Sequence, residues 1–180
     1  AIAPDLVVFS PGPGEPSELA MKGTSSACVE RKLPRFGVGR GRQGIAEYFG
    51  AELKFLNYPM HGKPSTVIVE SSPMFADLPP AFTTARYHSI YFNADKAPDG
   101  IKVLGRTDDN VAMAICHESL PIWAEQFHPE PILTLENARG FQVTRIVGGR
   151  AVPAWGQPPG DASPLVPHPH THPVSKTGPA

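Results

Sequence analysis

The residues best suited to chemistry lie in separate stretches of the chain. His128 and Glu130 flank Pro129 in Gln126-Phe127-His128-Pro129-Glu130. A histidine with a carboxylate beside it to orient the ring is the base half of a nucleophilic triad. The stretch Pro34-Arg35-Phe36-Gly37-Val38-Gly39-Arg40-Gly41-Arg42-Gln43-Gly44-Ile45 reads as a short buried strand, a glycine-rich turn and a helix. Such a turn lifts one side chain out of the sheet, which is where α/β enzymes place a nucleophile. The residue at the top of this turn is Gly39, which has no side chain. Two further stretches carry polar groups that could line a site, Ser10-Pro11-Gly12-Pro13-Gly14-Glu15-Pro16 and Arg86-Tyr87-His88-Ser89. His88, inside a strand pattern, reads as a structural, hydrogen-bonded histidine, and His61 with Lys63 reads equally as a loop packing feature or as part of a functional motif. The tail histidines His168, His170 and His172 are assigned no function, and no metal site is expected.

These pieces need elements to hold them. Asp5-Leu6-Val7-Val8-Phe9-Ser10 is a continuous apolar run, the mark of a strand covered on both faces. Ser17 is placed to cap a helix running to about Lys32. Arg35 to Val38 is a second buried strand in which Arg35 fits badly, and Gln43 to Phe49 is a helix ended by Gly50. Short strands are expected at Thr66–Val69, Thr83–Phe92, Ile101–Leu104, Val111–Cys116 and Ile122–Phe127. Turn signals such as Pro98-Asp99-Gly100 and Asp108-Asp109-Asn110 separate them. A last helix is expected over Leu135–Val147. The front half therefore reads as βαβα and the back half as a mostly antiparallel meander joining the same sheet, an α/β domain. The domain is assigned to residues 1–148. Residues 149–180, broken by Pro153, Pro158, Pro159 and others, are read as a disordered tail.

Composition narrows the classes. The chain has 180 residues and a formal net charge of −1, so bulk charge points to neither nucleic acid nor an anionic membrane. No apolar run has the length of a membrane span. Cys28 and Cys116 make no disulfide framework. A cytoplasmic setting is expected.

Taken together and in this order, the stretches resemble the class I (triad-type) glutamine amidotransferases, and most of all the amidotransferase component or domain of anthranilate synthase. Gln43-Gly44-Ile45, Glu47-Tyr48-Phe49-Gly50 and Tyr58-Pro59-Met60-His61-Gly62-Lys63-Pro64-Ser65 look like the form fused to a chorismate-binding subunit. The resemblance covers roughly Asp5 to Val147. It implies a flavodoxin-like, mixed, mainly parallel sheet flanked by helices. It also implies a reaction in which a cysteine thiolate attacks the side-chain amide of glutamine and ammonia passes to a partner that aminates chorismate in tryptophan biosynthesis. His128 then matches the general base and Glu130 its orienting carboxylate. Gly12, with Pro13 and Gly14, matches the loop whose N–H forms half the oxyanion hole, and the Arg40 N–H the other half. Gln43, Ser89 and Ile90 match positions that hold glutamine. The domain itself needs no cofactor; Mg²⁺ is expected on the chorismate-binding partner.

The chain departs from that pattern. The family turn reads Gly-x-Cys-x-Gly-x-Gln, with Leu usual after the Cys. Here Gly39 takes the place of Cys and Arg40 that of Leu, while Arg42 stands where Leu or His is usual. No thiolate can form at Gly39, so glutaminase activity is expected to be impaired. An unpaired buried guanidinium is costly, so Arg40 and Arg42 are expected to swing outward or distort the loop. The resemblance implies a strand–helix–strand unit before Asp5 that the residues here do not include, as expected of a truncated domain or of a piece of a longer polypeptide. Two rival readings are a non-catalytic binding module and a decayed gene fragment. A third is an amidotransferase serving aminodeoxychorismate or phenazine-precursor synthesis.

Overall fold

The structure, a computed structural model, describes residues 4–9, 21–75 and 78–127. Gly12, Pro13, Gly14, His128, Glu130, the helix expected over Leu135–Val147 and the segment 149–180 lie outside those residues.

The described strands form one seven-stranded sheet in the order β1-β2-β7-β6-β5-β3-β4. They are β1 Val7–Phe9, β2 Arg35–Val38, β3 Lys54–Val69, β4 Ala81–Tyr91, β5 Ile101–Thr107, β6 Ala112–His117 and β7 Ile122–Glu125. The pairs β1–β2 and β2–β7 are parallel. From β7 onward, through β6, β5, β3 and β4, every pair is antiparallel. This is the division the sequence predicts: crossover connections through helices at the front, direct turns behind. Between β1 and β2 runs α1, Met21–Glu30, and after β2 comes α2, Arg40–Tyr48.

The apolar residues divide into two cores. One gathers Phe36, Val67, Phe82, Leu104, Met113 and Phe127, with Trp123 packed against it. The other gathers Phe9, Ile45, Phe92, Ile115, Ile122 and Ala124. Successive residues of β7 go to different cores, Ile122 and Ala124 to one and Trp123 to the other. The two cores therefore lie on opposite faces of the sheet.

The helix α2 packs on its face through glycine. A Cβ on Gly41 would lie 2.1 Å from the carbonyl oxygen of Phe9, and one on Gly37 would lie 2.7–2.8 Å from Gly41 and Arg42 backbone atoms. Neither distance is tolerable, so these two residues set how closely α2 approaches β1 and β2.

Two expectations are corrected here. The stretch Tyr58–Ser65 is not a loop; it belongs to β3, a strand of 16 residues. Along it, His61 pairs with Tyr87 and Lys63 with Arg86, leaving Gly62 as the extra residue of a bulge at φ +64°. His61 meets Tyr87 edge-on at 5.3 Å, and the Lys63 ammonium sits 5.0 Å from the Tyr58 ring centre. Second, Arg40 and Arg42 do not swing outward. Both are buried, Arg42 completely. Close glycine packing of α2 on the sheet leaves Arg42 no path to solvent, and its guanidinium settles 4.5 Å from the Phe92 ring centre while donating to the Ala112 carbonyl.

Candidate active site

The turn between β2 and α2 consists of Gly39 alone. It has φ +56° and ψ −108°, a conformation that strains any residue with a side chain. Its N–H donates to the Glu125 carbonyl at 2.8 Å, and its carbonyl accepts from the Gln43 N–H at 3.2 Å. The strand thus passes directly into the helix through a residue that has no side chain. No acidic residue lies in the first turn of α2 and no side chain caps it. Arg40 and Arg42 instead add positive charge at the helix end that is already positive. Burial pushes the Arg42 guanidinium down to about 9.

One turn into α2, Gln43 ties three elements together. Its Nε2 donates to the Ile90 carbonyl at 3.1 Å and to Gln126 Oε1 at 3.0 Å. Gly39, Arg40, Gln43 and Ile90 are therefore joined, with Ser89 next to Ile90 and exposed. These are the described members of the expected site. Gln126, just past β7, was not among the expected site residues, although it begins the stretch that carries His128 and Glu130.

Behind Ile90 lies a second polar chain. His88 Nδ1 donates to the Ile90 carbonyl at 3.0 Å, and Arg86 Nε donates to His88 Nε2 at 3.0 Å. With Nε2 accepting, the neutral ring carries its proton on Nδ1. Burial, then the Arg86 and Arg42 charges, push His88 down to about 3, against the Ile90 bond and Asp109, which favour the charged ring. Arg86 is buried and its Nη1 meets Asp109 Oδ2 at 3.1 Å and Oδ1 at 3.3 Å. Burial alone would raise the Asp109 carboxyl, but the Thr107 hydroxyl and Arg86 outweigh it and hold it below its ordinary value. Asp109 also lines a cleft of about 610 Å³ between β3 and the β5–β6 turn, together with Phe55, Tyr58, Lys63 and Tyr91. That cleft includes no residue of the elbow.

Among the described residues, no group of three or more His, Cys, Asp or Glu is arranged to hold a metal ion. Cys28 is buried on α1 and Cys116 half-buried on β6, each a free thiol. Burial raises the Cys116 thiol above its ordinary value, the wrong direction for a nucleophile. No helix among the described residues is long and apolar enough to cross a membrane.

Residues 1–144 match the family model described as glutamine amidotransferase class-I. The chain belongs to the class I glutamine amidotransferases. It is 45% identical over 138 residues to an anthranilate synthase of Azospirillum brasilense, covering 77% of this chain and 19% of that protein. It is 35% identical over 144 residues to anthranilate synthase component 2 of the same organism, covering 79% of this chain and 72% of that one. A glutamine amidotransferase from Thermotoga maritima has the same fold, with a TM-score of 0.60 at 17% identity over 69% of this chain and 55% of its own. The chain thus spans about a fifth of the first relative and most of the second.

Proposed function

We propose that this chain is the amidotransferase portion of an anthranilate synthase, seated on a chorismate-binding subunit or fused domain, and that it does not release ammonia from glutamine. The observation that carries this is that Gly39, at φ +56° and ψ −108° between β2 and α2, has no side chain where the resemblance puts the nucleophile. The likeness to the two Azospirillum proteins supplies the choice of synthase. A thioester needs a thiolate within reach of the amide carbon, and neither Cys28 nor Cys116 lies at the turn. Gln43, Ser89 and Ile90 are the residues that would contact glutamine. Arg40 contributes a backbone N–H, which its side chain does not alter. His128 and Glu130 would complete a triad if a thiol were present.

The test is reconstitution with a chorismate-binding anthranilate synthase component, comparing nitrogen donors. The chain should co-purify with the component, and anthranilate should form from chorismate with ammonia but not with glutamine. Failure to co-purify would reject the docking role. Glutamine-dependent anthranilate formation by the unaltered chain would reject the loss of activity.

A further inference from the structure

His88 and Gln43, from different elements, converge on one atom. The Ile90 carbonyl accepts from Gln43 Nε2 at 3.1 Å and from His88 Nδ1 at 3.0 Å. A carbonyl oxygen has two lone pairs, and both are engaged. The His88 bond closes a ring from a side chain onto the backbone two residues later, with Ser89 inside it. That ring restrains the two peptide units on either side of Ser89. His88 is itself held in one tautomer by Arg86 Nε, and Arg86 is anchored to Asp109 and, at 3.5 Å, to the Ser65 hydroxyl. The line of bonds runs from the β5–β6 turn across β4 to α2 and ends at Gln126.

Stability alone is a poor account of this arrangement. Burying an arginine and a histidine together costs desolvation, and packed apolar residues hold neighbouring strands at least as well. What apolar residues cannot do is aim a backbone segment by hydrogen bonds of fixed direction.

We propose that His88, oriented by Arg86, is a positioning residue for the glutamine site: it locks the Ser89–Ile90 backbone against Gln43 so that this segment is preorganised for an α-amino acid ligand. The proposal rests on the reading that Gln43, Ser89 and Ile90 take glutamine. It makes the His88 donor, not its charge or bulk, the feature that matters.

Two amides separate these properties. His88→Asn places its amide nitrogen near the Nδ1 position and keeps a donor toward Ile90. His88→Gln reaches the Nε2 position and loses that donor. The measurement is calorimetric titration of the full chain with L-glutamine, alongside a thermal melt of each variant. The unaltered chain and His88→Asn should bind within about threefold of each other, and His88→Gln about tenfold more weakly, the worth of one buried hydrogen bond. Equal binding by all three overturns the positioning role and leaves the glutamine site standing. No binding by the unaltered chain rejects the glutamine site itself. Nitrogen-detected NMR of the imidazole in the unaltered chain is a second check that needs no variant. It should show the proton on Nδ1, with the signal shifting as glutamine is added; a proton on Nε2 would overturn the proposal.

Discussion

Arg42 carries a fully buried guanidinium whose one hydrogen bond among the described residues goes to the Ala112 carbonyl. Its Nε and Nη1 have no hydrogen-bond partner there. The guanidinium contacts the Phe92 ring, and burial pushes it down to about 9. Arg42→Leu should therefore stabilise the chain by about 1–4 kcal/mol, read as a higher denaturant midpoint; a lower midpoint would mean the guanidinium is well compensated. His88 behaves differently with pH. Its folded value lies near 3 against an ordinary 6.5, so between these the unfolded chain binds the extra proton. The His88 contribution is full above pH 6.5 and is lost as pH falls toward 3, at up to about 1.4 kcal/mol per unit. Denaturant midpoints at pH 7, 6 and 5 should fall more steeply for the unaltered chain than for His88→Asn; parallel curves would refute this. At this scale the sequence was legible where a residue's place follows from its neighbours in the chain. The positions of Gly39 in the turn and Gln43 on the helix are read off one stretch. The burial of Arg42 was not legible, because it depends on how closely α2 lies on β1 and on contacts with Phe92 and Ala112, 50 and 70 residues along the chain. Nor was Gln126, whose partner is 83 positions distant.

The elements follow local rules more closely than the side chains do. The helix α2 begins at Arg40, three residues before the expected start, because Gly39 turns the chain straight into it without a linker. Strand β3 begins at Lys54, well before the expected Thr66, since Pro59, Gly62 and Pro64 read as turn signals. They instead sit in a strand with register shifts, where a bulge admits Gly62 and where residues 54–64 face β4 alone among the described strands. The approach of α2 to β1 is an element-scale property with its own test. Gly41→Ala would drive a methyl group to 2.1 Å from the Phe9 carbonyl, and backbone on both sides leaves nothing flexible to yield. The loss should be several kcal/mol, about 1–3 or more from overpacking alone, and a circular dichroism melt should show a large drop. An unchanged melting temperature would contradict the packing described.

On the scale of the whole molecule, the sheet changes character at β7. The three parallel strands hold the elbow, and the antiparallel strands carry Ser89 and Ile90 back to it. A site assembled this way has its parts in distant stretches of sequence, so their order along the chain, more than any one of them, is what made the family legible. The placement of His128, Glu130 and Gly12 lies outside the described residues, so the catalytic half of the expected site is carried by likeness alone. The described residues show a turn between β2 and α2 whose one residue, Gly39, has no side chain. The most direct test of its consequence is glutamate release from L-glutamine, measured with the chain alone and with the chorismate-binding component and chorismate present. No release above the uncatalysed background is expected in either case. Release that disappears in His128→Ala would contradict it, because it would require a working nucleophile that Gly39 cannot supply.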